Sequence, residues 1–172
     1  MAKTINFGIL YGMSSYGVSQ ALGVSREQAQ DFINNYFQHF PKIRDYIEKT
    51  INFAREHSYV ETLLGRRRYL PEISSALATL RRAAERMAIN MPVQGTAADI
   101  MKIAMINISK ISDSEAKMLL QVHDELLFEI REEKIKEVVL KIKQIMEEAY
   151  KLSVPLEVDV SVGKNWKEME KK

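Results

Sequence analysis

Residues Met118 to Arg131 read MLLQVHDELLFEIR, two apolar runs that meet at adjacent carboxylates, Asp124 and Glu125. The runs Met118–Val122 and Leu126–Ile130 are too short for helices and suit buried strands. Acidic residues are depleted inside strands, so the pair is expected at the tip of a tight hairpin. A hairpin with apolar strands needs cover. Glu132 to Tyr150 provides it as an amphipathic helix, with Ile135, Val138, Val139, Ile142, Ile145 and Met146 on one side. Leu156, Val158, Val160 and Val162 alternate with polar residues and predict a half-buried third strand. The back of the chain therefore reads as α+β. Neighbouring carboxylates repel one another, and a divalent cation offsets that repulsion because hard cations prefer carboxylate oxygen. For the dipeptide alone an exposed turn with solvated acids is the favoured explanation; His123, just before it, adds a second group of chemical interest.

The front of the chain is helical. Lys3, Phe7 and Tyr11 recur at four-residue steps, which places them on one helix face. Gly8, unfavourable inside a helix, marks a close approach of another group. Ser14 to Leu22 predicts a short helix stopped by Gly23. Ser25 to Gln28 then forms a capping box that opens a helix to about His39. Pro41 begins the next helix, which runs to about His57. Tyr59–Thr62 and Arg67–Leu70 flank Gly65 and suit a small ribbon ending at Pro71. Thr79 to about Ser109 is the longest helical stretch, and Pro92 within it predicts a kink or break. The steps Arg86, Asn90, Gln94 give this helix a hydrogen-bonding face. The expected division lies near Ser74–Ser75, with a helical lobe over 1–75 and an α+β lobe over 76–172.

At 172 residues, 46% of them hydrophobic, the chain can bury a sizeable interior. No apolar run approaches the ~18 residues of a membrane span, and no secretory leader is expected. The absence of cysteine excludes disulfides and thiolate metal sites, and it matches a reducing compartment. A net charge of +2 is uninformative as a total. Locally, Arg66, Arg67 and Arg68 with Arg81, Arg82 and Arg86 make a cluster suited to phosphate, although such clusters are also common as plain solvated surface.

Together these segments resemble the C-terminal part of a family A DNA polymerase, the group that includes bacterial DNA polymerase I. Lys3 through Gly12 resembles the fingers helix. RAAERMAINMPVQGTAADI, Arg82 to Ile100, resembles the long palm helix, and Gln121 to Glu125, QVHDE, resembles the palm hairpin. LLGRRRYLP at Leu63–Pro71 is also typical of the family. The resemblance implies a fingers lobe over 1–75 and a partial palm over 76–172, with a small antiparallel sheet packed by helices. It implies nucleotidyl transfer from dNTPs to the 3′ end of a primer on template DNA, in the cytoplasm at the nucleoid. Lys3, Phe7 and Tyr11 would bind the incoming nucleotide, Lys3 against the triphosphate. A phenylalanine at position 7 is associated in the family with poor acceptance of dideoxynucleotides. Arg86, Asn90 and Gln94 would line the minor groove, while Gln121 and His123 would approach the primer end. Asp124 would hold two Mg²⁺ ions, with Glu125 as a supporting carboxylate.

The resemblance also implies a second aspartate, from a DYSQIELR-like motif that these residues do not contain. Asp99, Asp113 and Asp159 are poor substitutes, each with an ordinary solvated explanation. The expectation is an incomplete active site, inactive alone, whose N-terminal polymerase portion is a separate chain or missing sequence. Two other readings compete. Val18 to Ala29 has the look of a helix-turn-helix regulator, and a catalytically silent, DNA-binding remnant of a polymerase would keep the same motifs.

Overall fold

A computed structural model describes residues 2–111 and 115–171, with side chains from Ile5 onward. Two compact units share the chain, Met1–Thr96 and Ala97–Lys172.

In the first unit, helices α1 (Ala2–Leu10), α2 (Ser15–Leu22) and α3 (Arg26–His39) enclose Ile5, Ile9, Val18 and Ala29. Local chemistry sets their ends. Ser14 accepts a hydrogen bond from the Gly17 amide to cap α2, and Gly23 stops it in the left-handed region at φ 67°. The capping box at Ser25 forms as expected, with Ser25 and Gln28 each accepting from the other's backbone N–H. The close neighbour of Gly8 is the Met13 side chain, which occupies the space a Cβ would need. Helix α4 (Pro41–His57) has its proline in the first turn. It packs with a two-stranded ribbon, β1 (Tyr59–Glu61) and β2 (Arg67–Tyr69), and with the front of α5 (Ala78–Ile108) around Ala54, Val60, Leu70, Ile73, Ala84 and Ala88.

Of the kink or break expected at Pro92, the break is absent: α5 runs unbroken through it. A proline leaves one carbonyl of the preceding turn without its usual donor, and the turn that follows Pro92 is braced. The Thr96 hydroxyl bonds back to the Pro92 carbonyl, and the Leu63 amide donates to Thr96 Oγ1 at 3.0 Å. The boundary between the compact units falls within α5, after Thr96, and the front half of α5 shares the ribbon's core.

In the second unit, β3 (Ala116–Val122) and β4 (Glu125–Ile130) pair antiparallel, with an irregularity between Met118 and Leu120. Helix α6 (Ile135–Glu147) follows a single 3-10 turn at Glu132–Lys134, so the regular helix is shorter than expected. It lays Val138 and Ile142 against Ala116, Met118, Leu126 and Phe128, the cover anticipated for the hairpin. The third strand is a partial correction. Among the described residues only Ser161–Val162 (β5) of this segment joins a ladder, with Glu170–Lys171 (β6), while Leu156–Val160 carries no strand pairing.

Candidate nucleotide and primer-template site

Along α1, Ile5 and Ile9 are buried, which turns the Phe7 and Tyr11 face outward. The two rings stack at 6.0 Å with 27° between planes, and Phe7 is 45% exposed. Lys3 belongs to the same helix by its backbone; its side chain lies outside the described residues. The chain leaves α1 through Gly12 at φ 80°, where an added Cβ would stand 3.2 Å from Arg86 Cγ and 3.7 Å from Ile89 Cδ1. Glycine is required there for both reasons. The end of α1 is thus seated directly on the Arg86 segment of α5. Tyr46 of α4 joins them by donating to the Ile89 carbonyl at 2.8 Å. Burial pushes the Tyr46 hydroxyl pKa up, a hydrogen bond with Thr50 opposes the shift, and nearby Tyr11 adds to it. No pattern in the sequence signals this tyrosine, because its role depends on a contact between distant helices.

The polar face of α5 is present: Arg86 and Gln94 are exposed and Asn90 is half-buried. The Asn90 Oδ1 atom is buried with no hydrogen-bond partner among the described residues. The arginine cluster splits in use. Arg66 donates to the Gly95 carbonyl at 2.9 Å and Arg81 to the Ser75 carbonyl at 2.7 Å. Arg67 bonds Glu61 at 3.2 Å and lies over the Tyr59 ring at 4.4 Å. These three serve the fold; Arg82 and Arg86 are the members displayed to solvent on α5.

In the second unit the hairpin tip corrects the expectation in detail. Val122 pairs with Glu125, so the two turn residues are His123 and Asp124, and Glu125 opens β4. His123 adopts φ 55°, a positive value at the first turn position that normally calls for glycine. Gln121 Nε2 donates to the His123 carbonyl at 3.2 Å and steadies the turn. Gln121, His123, Asp124 and Glu125 are all exposed. Asp124 and Glu125 border a cleft of about 590 Å³ that α6 and residues 157–161 also line. Asp159 lines the same cleft but gives its carboxylate to Lys171 at 2.8 Å, and that hydrogen bond holds its pKa below the usual carboxylate range. Asp99, expected to be solvated, is instead buried at 9% exposure, and Asp113 lies outside the described residues. Among the described residues no group of three or more His, Asp or Glu side chains gathers to hold a metal.

The profile of DNA polymerase family A matches residues 1–168. The chain belongs to that family. It is 54% identical to the thermostable DNA polymerase I of Thermus filiformis over 168 residues, 97% of this chain and 20% of that protein. It is 52% identical to DNA polymerase I of Deinococcus radiodurans over 166 residues, 96% of this chain and 17% of that protein. Among solved structures it resembles the POL domain of Pol1 from M. smegmatis, in complex with DNA primer-template and dNTP. The TM-score is 0.86 and the identity 46%, over 90% of this chain and 28% of that one. The chain thus spans about a fifth of the length of the curated relatives it matches. The family also accounts for α2 and α3 without a regulator. The second helix of that pair displays Glu27 and Asp31 beside Arg26, a poor surface for phosphate.

Proposed function

We propose that the chain is the fingers and C-terminal palm portion of a template-directed DNA polymerase, and that it becomes competent only with the rest of the enzyme. The observation that carries this is the seating of the Phe7–Tyr11 end of α1 on Arg86 at the polar face of α5, in a chain similar to a polymerase domain solved with primer-template and dNTP. The stacked Phe7 and Tyr11 rings offer a flat apolar surface to the base and sugar of an incoming dNTP. Lys3, one and two helix turns before them, supplies positive charge to its phosphates. Arg86, Asn90 and Gln94 present donors to a minor groove whose N3 and O2 acceptors occur on every correct pair, so the contacts test shape rather than sequence. Gln121 and His123 face the primer terminus.

Asp124 and Glu125 are hard donors on a displayed hairpin, and they fit part of a Mg²⁺ coordination shell. Magnesium, when bound, activates the primer hydroxyl and neutralises the departing pyrophosphate. One hairpin supplies one share of that shell, and the bridging carboxylate is assigned to a strand outside this span. Work of this kind belongs at the nucleoid in the cytoplasm. Primer extension with Mg²⁺ and four dNTPs tests the reading, using the chain alone and mixed with a separately made N-terminal polymerase portion. Synthesis only on mixing is expected. Robust synthesis by the chain alone would overturn the incompleteness. Primer-template binding without restored synthesis would instead indicate a silent remnant.

A further inference from the structure

Ile89 of α5 is held from two directions. Its side chain supports the end of α1, since a Cβ added at Gly12 would stand 3.7 Å from Ile89 Cδ1. Its carbonyl accepts the Tyr46 hydroxyl of α4 at 2.8 Å. That bond falls on a turn short of one of its own, because Pro92 has no N–H to give the Ala88 carbonyl. Ile89 is 4% exposed and Tyr46 is half-buried, which limits competition from water for the bond. The Tyr46 hydroxyl also bonds Thr50, one turn on in α4. Burial above all, with a smaller effect from nearby Tyr11, raises its pKa, so the donor keeps its proton at neutral pH. A second bond between the same helices, Arg55 to Glu85 at 2.7 Å, lies more than two turns further along α4.

The chain leaves α1 through Gly12 at φ 80°, a permissive residue, so the direction of that end is set by what it rests on. Phe7 and Tyr11 stack one turn apart at 6.0 Å, and a tilt of the end turns both rings together. We propose that Tyr46 is a positioning residue for the nucleotide-binding face of α1. Through the Ile89 carbonyl it fixes the seat of Tyr11 and Gly12, and it does not touch the nucleotide. The nucleotide role rests on the polymerase reading above; the seat rests on these contacts alone. Tyr46→Phe keeps the ring and removes the donor. Nucleotide binding must then reorder the end of α1, which should weaken dNTP affinity by roughly 3- to 10-fold, the worth of one neutral hydrogen bond. The rate at saturating dNTP should change little, because the ordered state is reached before the phosphoryl step. Arg55→Gln breaks the other bond between α4 and α5 and leaves Ile89 alone, so dNTP affinity should hold. Ile89→Val deletes Cδ1, on the side facing Gly12, and should weaken dNTP binding as Tyr46→Phe does.

Two measurements test the assignment. In the chain itself, the Gly12 and Met13 amides bond the Ile9 and Gly8 carbonyls at 3.0 and 2.7 Å. Tyr46→Phe should speed their hydrogen exchange by roughly 3- to 10-fold, and Arg55→Gln should leave it at the parental rate. Single-turnover incorporation is then followed in a chimera, with residues 1–172 in place of the matched span of Thermus aquaticus DNA polymerase I. There Tyr46→Phe and Ile89→Val should each raise the apparent Kd for dNTP, with the maximal rate and primer-template affinity unchanged. The double variant should raise it by less than the product of the two effects, because both act through Ile89. Ile89→Val carries the test if Tyr46→Phe does not fold. Parental dNTP affinity in both single variants, an equal loss in Arg55→Gln, or a full product in the double variant overturns the positioning role. So does a lower maximal rate at unchanged dNTP affinity. Parental exchange at Gly12 in Tyr46→Phe overturns the seat, whichever way the chimera behaves. A parent chimera that makes no DNA while the exchange result holds counts against the polymerase reading and, with it, the nucleotide role.

Discussion

The loop between β1 and β2 is seated on α5 by hydrogen bonds from Leu63 and Arg66 and by one close packing contact, and Gly95→Ala probes that contact. An added Cβ at Gly95 would stand 2.7 Å from Thr62 Cγ2 and 3.4 Å from Arg66 Nη2 and Met91 Cε. The far end of a flexible chain would move aside; Thr62 does not. It is 4% exposed, and its Oγ1 accepts the amides of Leu64 at 3.3 Å and Arg66 at 3.1 Å. Rotating it away forfeits two hydrogen bonds of about 0.5–1.5 kcal/mol each. Overpacking of this kind costs about 1–3 kcal/mol, against a gain near 1 kcal/mol for alanine over glycine within a helix. A net destabilisation of about 1–2 kcal/mol is expected. Thr62→Ser removes only the offending methyl and keeps the hydroxyl. In that background Gly95→Ala should be neutral or stabilising by up to about 1 kcal/mol. The coupling of about 2 kcal/mol stands well clear of the ~0.3–0.5 kcal/mol scatter seen between independent sites. Urea unfolding followed by circular dichroism, at several protein concentrations, measures all four variants. Equal effects of Gly95→Ala in both backgrounds would refute the seating.

Other outcomes follow from the same contacts. His123→Gly relieves a left-handed residue at φ 55°, so urea unfolding should show a gain of about 1 kcal/mol, while primer extension falls in the Thermus chimera, in which this chain replaces the matched span of Thermus aquaticus DNA polymerase I. Leu70→Ala empties a side chain that is 1% exposed and should cost about 2–5 kcal/mol by the same unfolding measurement. Lys171→Ala should return the Asp159 pKa to the ordinary carboxylate range, read by NMR titration of its carboxyl carbon. Because the folded pKa is depressed, the stability this pair contributes is present above the unfolded value and is lost as pH falls through the folded one.

What the sequence made legible was local. Capping at Ser25, termination at Gly23 and the proline start of α4 depend on a few neighbouring residues, and all three formed where expected. Apolar alternation located the hairpin and the spacing of α6 located its cover. Contacts between distant segments were not legible. Helix α5 runs through Pro92, with Thr96 and the β1–β2 loop bracing the turn that follows it. Leu156–Val160 has strand chemistry, but a strand needs a bonded neighbour, and alternation cannot say whether one is present. The hairpin's acids were found, yet the turn fell one residue earlier than their midpoint because Glu125 pairs with Val122. The partnership of Tyr46 with Ile89 has no sequence signature at all.

We propose that Asp124 carries the metal-dependent chemistry of a family A polymerase. Asp124→Asn in the Thermus chimera keeps the turn and its shape while removing the charge. Primer extension should fall by at least about a hundredfold, with primer-template affinity and urea stability unchanged. Synthesis at the parental rate would contradict the account.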